Sequence, residues 1–354
     1  MHANERVSNT VSVRQLREFL TTCLAKLGLP PEDAATCGRL MAEAEAQGSD
    51  GHGAIRLIPY ARRIRAGGMN LTPNIRVIKE KAAMALIDGD NGMGHLVMKR
   101  ATEIAIDKAK HCGVAWVGSV NSNHAGPASL YPRMALAHDM IGLYFAVGNA
   151  NHLPPWGGVD MLLSTNPIAC AIPANEEPPI VLDMATTVAA YGKVKAKAQR
   201  GEAMPVGWMI DRNGEPLLDP KRASEGFLLP IGGYKGYGLA LVVGILAGTL
   251  NGAAMGSETI DFNADDITPT NTGQAICVID PDAFGEGEDF KRKVDQLIRE
   301  MRASARMPGV DRIWVPGEQS HEKRERHERE GIELPATLLA QLDAFAKDLG
   351  VASL

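Results

Sequence analysis

At 354 residues, with 45% hydrophobic and 22% charged side chains, the chain exceeds what one small core organises, so two domains are expected. A formal net charge of −5, with no basic stripe interleaved with aromatics, argues against a nucleic-acid surface. The longest apolar run, residues 238–250, falls short of the ~20 residues that cross a bilayer, so no membrane partner and a buried helix are expected there.

The opening Met1-His2-Ala3-Asn4-Glu5-Arg6 lacks the apolar core of a secretion signal. Five cysteines (Cys23, Cys37, Cys112, Cys170 and Cys277) never form a Cys-x-x-Cys pair. Reduced core thiols in a cytoplasmic protein are the expectation, with neither a disulfide frame nor a metal site. Residues 11–27 repeat apolar side chains at helical spacing behind a capping box of Ser12 and Gln15. Pro31 suits the first position of a second helix, which runs to Gln47 and is closed by Gly48. Ser49-Asp50-Gly51-His52-Gly53 then opens a third helix, with Ile55, Ile58, Ala61 and Ile64 on its buried face. His52 and Arg56, four apart, would share one face at its start, where the helix favours an anion. A guanidinium beside an imidazole suits a small carboxylic acid. An ordinary ion pair at a solvated helix start is the alternative, and is the reading given to Arg62, Arg63 and Arg65.

From residue 75 the pattern changes to strands and helices: strands at 75–78 and 83–88, a glycine-rich loop, then a helix over 96–109. Gly92-x-Gly94 resembles the start of a dinucleotide fingerprint. The third glycine position is Val97, however, and the next strand ends at Asn121 where an acidic ribose reader belongs, so a standard Rossmann site is rejected. The apolar strand Val114-Ala115-Trp116-Val117 opens into Gly118-Ser119-Val120-Asn121-Ser122-Asn123-His124-Ala125-Gly126. His124 can exchange a proton near neutral pH, and both a site and a capped turn fit this stretch.

A short helix over 132–138 and a strand over 141–147 follow. The loop 148–158, rich in Gly and Pro and holding Asn149, His152 and Trp156, reads as a rigid wall. Thr165-Asn166-Pro167 precedes a strand over 168–172. A strand over 180–182 ends in Asp183-Met184-Ala185 at the start of a helix, where Asp183 either serves a ligand or caps that helix. Gly232-Gly233-Tyr234-Lys235-Gly236 at a helix start suits phosphate, or lets helix and sheet pack closely. A strand over 274–279, a helix over 290–305 and the polar loop Pro316-Gly317-Glu318 come next. A charged helix over 321–330 is read as solvated, with no role for His321 or His327. A closing helix carries Leu338, Leu339, Leu342, Phe345 and Leu349.

Taken in order, seven stretches resemble the malate/L-lactate dehydrogenase family of the second, non-Rossmann type. They are Asp50-Gly51-His52-Gly53-Ala54-Ile55-Arg56, Asn121-Ser122-Asn123-His124-Ala125-Gly126, Pro155-Trp156-Gly157-Gly158, Thr165-Asn166-Pro167, Leu182-Asp183-Met184-Ala185-Thr186, Lys235-Gly236-Tyr237-Gly238-Leu239 and Pro316-Gly317-Glu318. The resemblance implies an α/β fold with a non-Rossmann, mixed-sheet cofactor domain over 75–310. It implies a mainly helical second domain over 1–74 plus 311–354. It further implies an oxidoreductase using NAD or NADP on a small 2-hydroxy, 2-oxo or cyclic imino acid, working as a homodimer. On that likeness the catalytic residues are His124, His52 and Arg56. Asn149, Thr165, Asn166, Asp183, Met184, Ala185, Lys235, Gly317 and Glu318 fall on cofactor-contact positions. Gly51 stands where members usually carry serine, and His152 lies in a loop that shapes the pocket. Two rival classes are a metal-dependent hydrolase or lyase using His52, His124 and Asp183, and a non-catalytic acid-binding protein.

Overall fold

The computed structural model describes residues 9–354; residues 1–6, read above for a secretion signal, lie outside them. The chain opens with β1 (Thr10–Val11), α1 (Val13–Lys26), α2 (Pro31–Ala46) and α3 (Leu57–Arg65). Next come β2 (Arg76–Lys81), β3 (Met84–Asp88), α4 (Gly94–Cys112), β4 (Val114–Ser122), α5 (Pro132–Ala135) and β5 (Ile141–Ala146). They are followed by β6 (Ile168–Ile172), β7 (Ile180–Met184), α6 (Tyr191–Arg200), β8 (Met209–Asp211), β9 (Gly226–Leu228) and α7 (Tyr234–Ala247). The last are β10 (Thr272–Ile279), α8 (Gly287–Ala303), α9 (Glu318–Glu330), β11 (Ile332–Glu333) and α10 (Ala336–Leu349).

The chain divides into two compact units, one up to Gly67 together with Gln319–Leu354, the other Gly68–Glu318. The sequence reading put these boundaries at 74/75 and 310/311. Residues 68–74 stay with the second unit because Asn70 and Asn74 bond to Asn91 and Asp90. The segment before Glu318 stays because the Pro316 carbonyl accepts the Val181 N–H of β7.

In the helical unit, Ser12 and Gln15 close the capping box at α1, whose Leu16, Phe19, Leu20, Cys23 and Leu24 are buried. Leu338, Leu339, Leu342 and Ala346 of α10 are buried as well, and β1 pairs with β11. Arg63 is a correction: instead of a solvated ion pair it is wholly buried. The helical period that turns Tyr60 and Ile64 inward carries Arg63 with them. Arg65 does pair with Asp348 at the surface.

The second unit is built on a seven-stranded sheet of order β2-β3-β4-β10-β5-β6-β7. Only β3 and β4 run parallel; every other neighbouring pair is antiparallel. Helix α4 packs on β4 and β10, and α7 on β5 and β10. Residues 194–228 hold a small core of their own, with Val194, Met204, Met209, Leu217 and Leu228.

Three expectations are corrected here. Cys112 is exposed, because it is the last residue of α4. Strand β4 runs on to Ser122, so the polar residues begin inside the sheet. The apolar run expected to be a buried helix is α7, which buries only Gly236, Ala240, Val243, Gly244 and Ala247. Val242 and Ile245 on its other face are 53% and 44% exposed. Among the described residues no helix is long and apolar enough to cross a membrane.

Candidate active site

Strand pairing fixes which loops meet in the sheet unit. Ser122 of β4 faces Thr272 of β10, and Gln274 of β10 faces Ala146 of β5. Phe145 of β5 faces Ile168 of β6, which faces Met184 of β7. The loops carrying His124, Asn149 and Thr165, and the end of β7 that carries Asp183, therefore lie at one end of the sheet.

The His124 loop is held from below by buried polar groups. The Asn123 amide donates to the Asn91 side chain at 2.9 Å and to the Gly92 carbonyl at 3.0 Å. The Asn123 carbonyl accepts Gln274 Nε2 at 2.9 Å, and the Ala125 carbonyl accepts the Tyr131 hydroxyl. Gly94 explains the fingerprint-like glycines: a Cβ there would lie 2.1 Å from the Asn123 carbonyl oxygen. That glycine lets the first turn of α4 press against the His124 loop. Beneath it, His95 is fully buried, and loss of hydration pulls its pKa down to about 4.

His124 is itself buried, with its ring 5.8 Å from that of Phe262. The Gly126 N–H donates to its Nδ1 at 3.4 Å, a long contact. The Phe262 N–H in turn donates to the Asn149 carbonyl at 2.9 Å. A second route joins the same two loops. Asn149 Nδ2 donates to the Thr272 hydroxyl (2.8 Å), which donates to that of Thr270 (3.0 Å), which reaches Asn123 Oδ1 (3.0 Å). Thr270, Thr272, Gln274 and Phe262 were missed by sequence reasoning, since nothing near them in the chain marks a site.

Asp183 lies inside β7, and α6 begins only at Tyr191, so the helix-cap reading is out. Its Oδ2 accepts the Ser129 N–H at 2.8 Å, which ties β7 to the turn after His124. The side chain reaches solvent, yet protein crowded around the carboxyl makes lost hydration the largest influence and raises its pKa. The Ser129 bonds and the Arg133 charge oppose that rise.

Thr165 gives its carbonyl to both the N–H and the hydroxyl of Thr186. Lys235 is exposed in the first turn of α7, after Gly232 and Gly233 in the left-handed region. The Ile231 N–H donates to the Thr186 carbonyl, bringing that turn beside Met184 and Ala185. Asn166 and Glu318 use their side chains within the protein. Asn166 accepts the Gly148 N–H and donates to the Ala240 carbonyl of α7. Burial alone would raise the Glu318 carboxyl, but the Val315 N–H, Arg302 and Arg312 hold it below its ordinary value. Gly317 lies against Val181 of β7. His152 stacks on Tyr191 at 4.1 Å; burial lowers its pKa to about 4, with Asp261 raising and Lys195 lowering it.

His52 and Arg56 belong to the helical unit, and their expected shared helical face is corrected. Residues Asp50–His52 and Ala54–Arg56 form two separate 3-10 turns, broken at Gly53, and α3 starts only at Leu57. Arg56 Nε donates to the Gly51 carbonyl at 2.7 Å. Loss of hydration lowers the pKa of this half-buried guanidinium, which Tyr60 opposes. Among the described residues, no three or more His, Cys, Asp or Glu side chains are grouped to hold a metal ion.

A sequence profile described as malate/L-lactate dehydrogenase matches residues 11–343. The malate dehydrogenase of Pyrococcus horikoshii is 38% identical over 349 residues, spanning 96% of this chain and 95% of that protein. The L-sulfolactate dehydrogenase of Methanocaldococcus jannaschii is 36% identical over 335 residues, spanning 95% and 96%. The solved structure of the Pyrococcus horikoshii malate dehydrogenase superposes with a TM-score of 0.90 at 35% identity, over 100% of this chain and 99% of that one.

Proposed function

The chain belongs to the malate/L-lactate dehydrogenase family, and on that premise we propose that it moves a hydride between a nicotinamide cofactor and C2 of a small 2-hydroxy or 2-oxo acid. The observation that carries this reading is the joining of the His124 loop to Asn149, through Phe262 and through Thr272 and Thr270. A proton-exchanging side chain and a set of polar loop groups are thereby held together at one sheet end, as a two-part hydride and proton transfer requires.

The donor set fits a dinucleotide. Lys235 at a helix start suits a phosphate, and Asn149, Thr165, Asp183, Met184, Ala185 and Gly317 offer hydrogen-bonding and backbone surface for the rest. Asn166 and Glu318 support these loops from behind. When bound, the nicotinamide supplies or accepts the hydride. The single parallel strand pair and the absence of an acidic residue at the end of β4 support a non-Rossmann cofactor mode. His124 is the proposed acceptor of the hydroxyl proton in the oxidative direction, and His52 is the proposed polarising group. Arg56 is the proposed carboxylate clamp.

The exposed apolar side of α7, with Val242, Ile245 and the nearby Leu250, supports a homodimer. The free cysteines suit a reducing, cytoplasmic setting. Titration with NADH and with NADPH, followed by nicotinamide fluorescence, tests the cofactor and decides between the two. Malate, lactate, sulfolactate, ureidoglycolate and cyclic imino acids then test the substrate. Silence with both nucleotides would overturn the reading, and turnover of a cyclic imino acid alone would move it to an imino-acid reductase.

A further inference from the structure

Glu45 sits in the last turn of α2, 4% exposed, and its Oε2 accepts the N–H of Ala54 at 2.7 Å. Ala54 is the first residue of the second 3-10 turn, the one that ends in Arg56. Upstream, the Ser49 N–H bonds to the Ala44 carbonyl of α2. Between these two ties the chain carries His52, and Arg56 Nε reaches back to Gly51 inside the same segment. No cation among the described residues of this unit forms an ion pair with Glu45, so the one bond to Ala54 is what the carboxylate does there. Gly53 makes room for it: a Cβ at that position would lie 1.9 Å from Oε2.

We propose that Glu45 is a positioning residue for acid binding, its buried carboxylate fixing the loop that presents His52 and Arg56. A buried N–H left unmatched is costly, so without the acceptor the second turn must shift toward water and take Arg56 with it. Burial, followed in weight by the Ala54 bond that opposes it and the Asp50 charge that adds to it, pushes the Glu45 carboxyl up to about 7. A group so poorly placed as a charge fits a role in which acceptor geometry matters. This role rests on Arg56 being the carboxylate clamp.

The test uses the full-length enzyme with L-malate as probe and measures KM for the acid, kcat and the Kd for NADH in one series. Glu45→Ala should raise KM about tenfold while leaving Kd for NADH within about twofold. Glu45→Gln, which keeps an oxygen acceptor, should restore KM to within about threefold of the parent. Gly53→Ala keeps the carboxylate but drives it from its seat, and should reproduce the Glu45→Ala pattern; it carries the test if Glu45→Ala does not fold. Unchanged KM in both variants, or a parallel loss of NADH binding, would overturn the role while Arg56→Ala still raises KM. Unchanged KM in Arg56→Ala would instead overturn the clamp assignment, and this role with it.

Discussion

The two histidine-bearing loops are secured in opposite ways. The His124 loop rests on many buried partners drawn from Asn91, Gly92, Tyr131, Thr270 and Gln274. The His52 loop is two short turns fixed to the preceding helix at Ser49 and Ala54. A buried network is costly when any member is left unsatisfied, whereas the His52 loop depends on two local bonds. The first arrangement suits a group whose proton must move along one line. The second suits a clamp for acids of differing shape.

The largest effect expected from this contrast is on turnover. His124→Ala should lower kcat by ~10²–10⁴, the usual worth of acid–base catalysis, in steady-state assays with the best acid of the panel. A fall of less than tenfold would place proton transfer elsewhere. Next is the network itself. Gln274→Leu strands the Asn123 carbonyl and should cost about 2 kcal/mol in denaturant unfolding, with a smaller fall in kcat.

The Glu45 tie differs in its dependence on pH. Because the folded Glu45 carboxyl is raised from 4.5 to about 7, its contribution is whole below pH 4.5 and is lost as pH rises through 7. Glu45→Gln removes that loss, so its stability relative to the parent should grow by roughly 3 kcal/mol between pH 4.5 and pH 8 in denaturant melts. A constant difference across that range would show that Glu45 keeps its charge when folded.

The smallest effect belongs to Gly51, where a Cβ meets nothing within 4 Å and φ lies outside the left-handed region. Gly51→Ser should fold as the parent does, within about 0.5 kcal/mol, and alter only the ranking of acids in the substrate panel.

What the sequence could reveal follows from how local each cause is. The capping box of α1, the Pro31 start of α2 and the strand Ile168–Ile172 were readable because each depends on residues within one or two turns. His124, Asn149 and Asp183 stood out because each lies at or near a strand end. The break at Gly53 escaped notice because the residue that requires it, Glu45, belongs to another helix. Asn166 and Glu318 looked available for a ligand, since their partners Ala240 and Arg302 cannot be paired with them from spacing. The uncovered face of α7 was hidden for a different reason: a run apolar on every side does not declare which side is packed.

Strand β10 has a consequence for how the molecule comes into being. It occupies the middle of the sheet, yet its two neighbours, β4 and β5, lie far earlier in the chain. During synthesis both must wait with open edges until residue 279 has left the ribosome, and only then can the sheet close. The edges of β4 and β5 that face β10 therefore stay unpaired with it until residues 272–279 exist.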